Sequence, residues 1–133
     1  MIPVLLVFSD WGILSLRIVL GIILVVHGWP KIKNLRATAE NFAAMGLKPA
    51  KFLATIVALL EFFGGLMIVA GLLTQVIAIF AAIQFLVVIF KVNGKQGLVG
   101  GYELELLILA SAIILAVLGS GFYSLDQFLG LIY

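Results

Sequence analysis

Arg17 stands at the head of an unbroken apolar run, Ile18 to Val26, which ends in His27-Gly28-Trp29-Pro30-Lys31. Such a stretch reads as a membrane-crossing helix with a cation inside its hydrophobic part and a proline-marked terminus at the far surface. On insertion scales a charge at the centre of such a helix costs about 2.5–3.5 kcal/mol unless it is paired or faces water. Arg17 is therefore expected to need an anion, which the rest of the chain has to provide.

The rest of the composition agrees with a membrane setting. Hydrophobic residues make up 65% of the 133 and charged residues only 11%, with a mean hydropathy of +1.33. Soluble chains sit near 45–50% apolar and about 25% charged, so this chain is expected to be an integral membrane protein. Met1-Ile2-Pro3-Val4 carries neither a basic n-region nor a small-residue cleavage site, so the first helix is expected to stay in the mature chain. The absence of cysteine removes thiol–disulfide exchange and iron–sulfur ligation from the chemistry of the chain itself.

Taken in order, Met1 to Ser9 is apolar but short, and Asp10-Trp11-Gly12 is expected to interrupt it before a first span at about 11–29, with Trp11 at headgroup level. Ile13, Arg17, Leu20, Leu24 and His27 recur every three or four residues, which predicts one inward face shared by the cation and the imidazole. A basic connection follows. Within it, Leu35, Ala39, Phe42 and Met45 give an amphipathic interfacial helix at about 34–46, with Asn34 as N-cap and Gly46 as C-cap. A second span at about 50–71 holds Glu61 near its middle, on a stripe with Ala50, Ala54, Ala58 and Gly65 that favours close helix packing. In the third span, about 75–91, Gln84 is the one strongly polar residue between Val76 and Phe90 and is expected to bond a neighbouring helix. After a glycine-rich basic connection, Glu103 and Glu105 open a fourth span at about 102–119, where carboxylates suit the helix dipole. A turn and a short interfacial tail to Tyr133 complete the chain.

The predicted fold is thus all-α: a single domain over 1–133, an integral membrane antiparallel four-helix bundle with a short amphipathic interfacial helix between the first two spans. Lys31, Lys33, Arg36, Lys48, Lys51, Lys91 and Lys95 fall on connections 30–51 and 91–101, which the positive-inside bias makes cytoplasmic, with both termini outside. Two polar clusters are expected. In the outer half Arg17 pairs with Glu61, with Asp126 as a second acceptor. In the cytoplasmic half His27 meets Glu103 and Glu105. Such clusters fit a purely structural pairing that fixes helix register, or a functional role in lining a pocket for a quinone-sized polar headgroup or in proton transfer.

The order Arg17…Gly21…His27-Gly-Trp-Pro-Lys31, Glu61-Phe-Phe-Gly-Gly65, Gly71-Leu-Leu-Thr74, Gly100-Gly-Tyr-Glu103 and Gly119-Ser-Gly-Phe-Tyr-Ser-Leu-Asp126 resembles the DoxX family of small four-helix membrane proteins, over about residues 12–128. By that resemblance Arg17, His27, Lys31, Glu61, Glu103 and Asp126 occupy the family's polar motif positions. One departure is Phe122, where many members carry a basic residue before the Ser-Leu-Asp. The family is named for a subunit associated with a quinone-linked oxidoreductase acting on thiosulfate and with a terminal quinol oxidase, and other members sit in complexes with soluble redox enzymes. The resemblance implies a quinone-interacting or anchoring subunit, at most one part of a quinone-linked oxidoreductase. A non-catalytic membrane scaffold or chaperone is the alternative, and a transporter is weaker because no broken helix or inverted repeat is evident.

Arg17, His27, Lys31, Glu61, Gln84, Glu103, Tyr123 and Asp126 are the candidates for a ligand pocket or polar network; no catalytic residue is singled out. No metal site is expected, and the single histidine cannot supply bis-histidine haem ligation. Glu103 and Glu105, two residues apart on a helix, point about 200° apart and do not make a paired-carboxylate site. The expected partners are the lipid bilayer, a quinone, other membrane or soluble redox subunits, and further copies of the chain; nucleic acid is not among them.

Overall fold

Four apolar helices, each long enough to cross a bilayer, carry the fold of this computed structural model, which describes residues 2–131 apart from the side chains at 93 and 94. They run over Pro3–Lys33, Ala50–Ala70, Thr74–Val92 and Leu98–Leu118, within which α1 (Ser9–Lys33), α3 (Ala50–Ala70), α4 (Thr74–Val88) and α5 (Glu103–Leu118) are labelled. A short helix, α2 (Leu35–Ala44), lies between the first two, and a single turn, α6 (Leu125–Phe128), follows the last. No strand occurs among the described residues. The architecture is the antiparallel four-helix membrane bundle with an interfacial helix that the apolar runs predict. Residues 132 and 133, the end of the expected interfacial tail, lie outside the description.

Helix α1 packs chiefly on α3, and α4 on α5. The first pair meets through glycines. A Cβ on Gly21 would come within 2.6 Å of the Gly65 carbonyl oxygen, and one on Gly65 within 2.7 Å of that of Gly21. Without a hydrophobic force between helices in lipid, such backbone approach supplies the packing. The predicted small-residue stripe of α3 is buried accordingly at Ala54, Ala58, Glu61 and Gly65, with Ala50 half-buried at its end. Leu20, Leu24, Ile68, Ala78, Phe85, Ile108 and Leu115 form the core. Most other large apolar side chains face outward, as lipid requires.

Several boundaries differ from the sequence expectation, each for a local reason. The first helix does not stop at Trp29-Pro30. Pro30 falls in its last turn, where the missing N–H removes one bond, and the helix runs on to Lys33. Asn34 then leaves helical geometry (φ −143°, ψ 73°) and caps α2, its side chain accepting from the Ala37 N–H at 3.1 Å. Asp10-Trp11-Gly12 interrupts nothing; the segment Pro3–Phe8 is a 3₁₀ turn that feeds directly into α1. Gly46 ends α2 as expected, with φ +80° and paired bonds from Gly46 N to Ala43 O and from Leu47 N to Phe42 O. Helix α3 contains a π turn at Leu60–Gly64, and α4 runs on into another at Ile89–Asn93. Residues ahead of Glu103 turn through the non-helical Val99 and Gly100, so the fourth helix begins at Glu103.

Candidate functional site

The charges inside the bundle fall into two groups, one near each end. Arg17, 1% exposed, lies at the end where α1 and α4 begin and α3 and α5 finish. Its Nε donates to Ile68 O at 3.0 Å and its Nη2 to Val69 O at 2.9 Å, the last-turn carbonyls of α3. Its Nη1 donates to Ser120 O and Tyr123 O, both at 2.7 Å, in the turn after α5. Carbonyls at helix C-termini lack intrahelical donors and carry the negative end of the macrodipole, so a guanidinium is suited to them in both hydrogen bonding and charge.

Asp126 performs the converse task. Its carboxylate accepts from Leu73 N at 2.7 Å and Thr74 N at 3.1 Å, the orphan donors at the start of α4. Leu73 is held at φ +50°, a left-handed conformation that costs a side-chain-bearing residue about 1–2 kcal/mol, and these bonds fix it there. Gly71 (φ +76°) packs against the guanidinium, and its carbonyl accepts from Asp126 N at 2.8 Å. A Cβ there would meet Arg17 Nη2 at 2.8 Å and Ser124 Cβ at 2.5 Å. Around this clasp the Trp11 and Tyr123 rings stack at 4.5 Å, and Asp10 Oδ1 accepts from Phe122 N at 3.1 Å.

The expected pairing of Arg17 with Glu61 is therefore not made, and Asp126 is not a hydrogen-bond acceptor for the guanidinium. Glu61, 3% exposed, bonds toward the other end of the bundle. Its Oε2 pairs with Lys31 Nζ at 2.5 Å, and its Oε1 accepts from Gln84 Nε2 at 2.6 Å. Three elements converge there because α1 continues past Pro30, carrying Lys31 on a helix rather than in a loop, and because Gly28 has no side chain. A Cβ on Gly28 would lie 2.9 Å from Glu61 Cβ. Glu61 also sits in the π turn of α3, a deviation often found at functional sites.

This trio closes one end of a cleft of about 390 Å³ between α3 and α4, within the span of roughly 300–1,000 Å³ usual for small-molecule sites. Lys31, Glu61 and Gln84 are its polar lining; Leu53, Val57, Leu60 and Val88 are among its apolar walls, and Phe42, Met45 and Leu47 cover it from α2 and the turn after it. Ile56, Phe80, Ile83 and Val87 line it and are also exposed on the outside of the bundle, so the cleft opens laterally. Gln84 Oε1 is buried and has no hydrogen-bond partner among the described residues.

The remaining candidates lie apart. His27 does not face inward or meet Glu103; it is exposed, and its Nδ1 contacts Ile23 O at 2.7 Å on its own helix. The buried positions of α1 are Arg17, Leu20, Gly21, Leu24 and Gly28, so the inward stripe reaches 28 rather than 27. Glu103 is exposed and accepts from Gly100 N at 3.1 Å, serving the start of its own helix. Tyr123 contributes its carbonyl and ring to the Arg17 clasp, not to the cleft. No group of three or more metal-ligating side chains occurs among the described residues.

Comparison with known proteins gives a consistent picture. The DoxX family profile matches residues 12–94. The chain is 35% identical over 117 residues to the Bacillus subtilis (strain 168) protein named "Putative oxidoreductase CatD", covering 88% of this chain and 86% of that one. It is 36% identical over 124 residues to the Escherichia coli (strain K12) "Inner membrane protein YqjF", covering 91% and 94%. No solved structure matches.

Because Arg17 and Glu61 share no partner, a double-mutant cycle on Arg17→Met and Glu61→Gln should be additive to within about 0.3–0.5 kcal/mol in unfolding free energy. The cycle on Lys31→Met and Glu61→Gln should instead show a coupling of roughly 0.5–3 kcal/mol. Coupling in the first cycle and none in the second would contradict this assignment of partners.

Proposed function

This chain belongs to the DoxX family of membrane proteins, and from that premise we propose that it is a membrane subunit of an oxidoreductase complex whose lateral cleft takes the headgroup of a quinone. The observation that carries the reading is the cleft itself, an apolar slot open on the outside of the bundle and ending at Lys31, Glu61 and Gln84. A quinone is a flat apolar ring with polar oxygens at its edge and a lipid-soluble tail. It needs apolar walls, an entrance from lipid and a few convergent polar groups. The family adds its redox association, and one relative bears the name of an oxidoreductase.

The side chains fit such a headgroup. Phe42 and Met45 offer an aromatic ring and a polarisable thioether to a flat ring. A quinone, when bound, supplies a two-electron, two-proton carrier that exchanges with the membrane pool. The chain's own residues hold and move the protons. Glu61 Oε2 holds a proton of the Lys31 ammonium in a hydrogen bond, Gln84 Nε2 fixes the carboxylate, and Lys31, with its side chain 28% exposed, can exchange that proton with the surface. The chain has no cysteine for an iron–sulfur cluster and no second histidine for bis-histidine haem ligation, so we assign the electron source to a partner subunit.

We further propose that connections 30–51 and 91–101 face the cytoplasm and both termini lie outside, on the strength of the seven cations those connections carry. The name of the E. coli relative places that protein in an inner membrane. Membrane-impermeant thiol labelling should reach Lys33→Cys and Lys95→Cys only after cells are permeabilised; labelling of either in intact cells contradicts the orientation.

The quinone reading is tested by extracting the protein in native lipid with a solubilising polymer and quantifying retained quinone by mass spectrometry. Wild type should retain it, and Val57→Phe, which fills the cleft, should lower retention by about tenfold, as a loss of about 1.4 kcal/mol would. Wild type free of quinone, or equal retention in the filled variant, overturns the reading.

A further inference from the structure

Of the three polar side chains at the end of the cleft, the two on α3 and α4 have few free groups for a ligand. Glu61 is only 3% exposed, and both its oxygens already accept, Oε2 from Lys31 Nζ and Oε1 from Gln84 Nε2. The Gln84 amide is turned so that its nitrogen meets that carboxylate, and its Oε1 is sealed from the cleft. Lys31 differs. Its side chain is 28% exposed, and its ammonium has three N–H groups, of which Glu61 takes one. The polar end of the cleft thus presents donors, the ionised one from Lys31 and a neutral one in the second N–H of Gln84. Gly28, one turn before Lys31, lets α3 come close enough for this placement, since a Cβ there would lie 2.5 Å from Phe62 N.

We infer that Lys31 is the residue that meets the headgroup, donating to an acceptor oxygen at its polar edge, and that Glu61 and Gln84 are positioning residues acting through Lys31. This rests on the reading of the cleft as a quinone site and assigns its polar contact. A quinone carbonyl is such an acceptor, and a hydrogen bond from a charged donor is worth about tenfold or more in affinity. The neutral amide N–H of Gln84 is worth nearer threefold, so the ammonium carries most of the selection for a ligand with an acceptor oxygen. Glu61 contributes by holding the lysine in place. A long side chain already fixed by its ion pair loses less rotamer freedom when a ligand binds. Gln84 in turn fixes the carboxylate from α4, so three helices set where the ammonium lies.

The test uses the full chain in lipid nanodiscs. The probes are a short-tailed benzoquinone and a hydrocarbon with the same ring and tail but methyl groups in place of the two carbonyl oxygens. Wild type should bind the quinone about tenfold more tightly than the hydrocarbon. The infrared carbonyl stretch of the bound quinone should lie below its position in lipid alone. Lys31→Met should bring the two affinities to within about threefold and return the stretch toward its position in lipid. Because Lys31→Met leaves the Glu61 carboxylate without its cation, the double variant Lys31→Met/Glu61→Gln is measured beside it. It should match Lys31→Met, with quinone binding weakened about tenfold and not the roughly hundredfold of two independent losses. Equal binding of quinone and hydrocarbon to wild type overturns the inference and leaves the quinone site standing. A tenfold preference or a lowered stretch that survives without Lys31, or a hundredfold loss in the double variant, overturns it equally. Failure of wild type to bind the quinone removes the quinone site and this inference together. If Lys31→Met does not fold, the double variant, which leaves no unpaired charge, decides alone.

Discussion

The guanidinium of Arg17 is held entirely by main-chain carbonyls, and the closure of the bundle depends on that choice of acceptor. Its four bonds go to Ile68, Val69, Ser120 and Tyr123, at the end of the second span and beyond the end of the fourth. Burying a cation in a membrane helix costs about 2.5–3.5 kcal/mol. Bonds to a charged group contribute roughly 1.5–3 kcal/mol each, so four of them more than offset that cost. The same contacts tie residue 17 to a turn more than a hundred positions later, with bonds spanning 103 and 106 residues. Asp126 mirrors the arrangement at the start of α4, where it satisfies two orphan N–H groups. Cation and anion thus each complete helix ends of the matching polarity, with Gly71 packed against the guanidinium where any side chain would collide.

With Arg17 satisfied in this way, Glu61 is free to serve the other half of the molecule. Lys31 lies 14 residues beyond Arg17 on α1, about 21 Å along the axis at 1.5 Å per residue. The Lys31–Glu61 pair, steadied by Gln84, stands at the end of an apolar cleft, whereas the Arg17 clasp is closed in on itself by backbone. One group of charges is spent on holding helices together. The other lines an apolar cavity, which is why the functional reading rests on it.

The spans were legible because lipid demands long apolar runs, and the ends of α2 because Asn34 and Gly46 are strong capping residues. The partners of Arg17 were not, because matching charge to charge overlooks backbone carbonyls, which every residue carries. The available signal was Gly71 and Gly119, each just beyond a helix at the end of the bundle where Arg17 lies. His27 was misplaced for a different reason. Spacing of three or four from Leu24 allows either 27 or 28, and the close approach of α3 selects the glycine. Lys31 was read as part of a basic loop since proline so often ends a helix; in the last turn it does not. The left-handed Leu73 has no local sequence signature at all, because it is imposed by Asp126 from the far end of the chain.

The division of labour between the two charge groups is tested most directly by measuring thermal stability and ligand binding on the same two variants. Arg17→Lys keeps the charge but cannot span four carbonyls, and Glu61→Gln keeps the shape but loses the ion pair at the cleft. The account predicts that Arg17→Lys lowers the melting temperature by several degrees while the folded fraction binds a short-tailed quinone as wild type does. Glu61→Gln should weaken binding about tenfold with the smaller loss of stability. The opposite pattern, with Arg17→Lys abolishing binding in folded protein and Glu61→Gln leaving it intact, would contradict it.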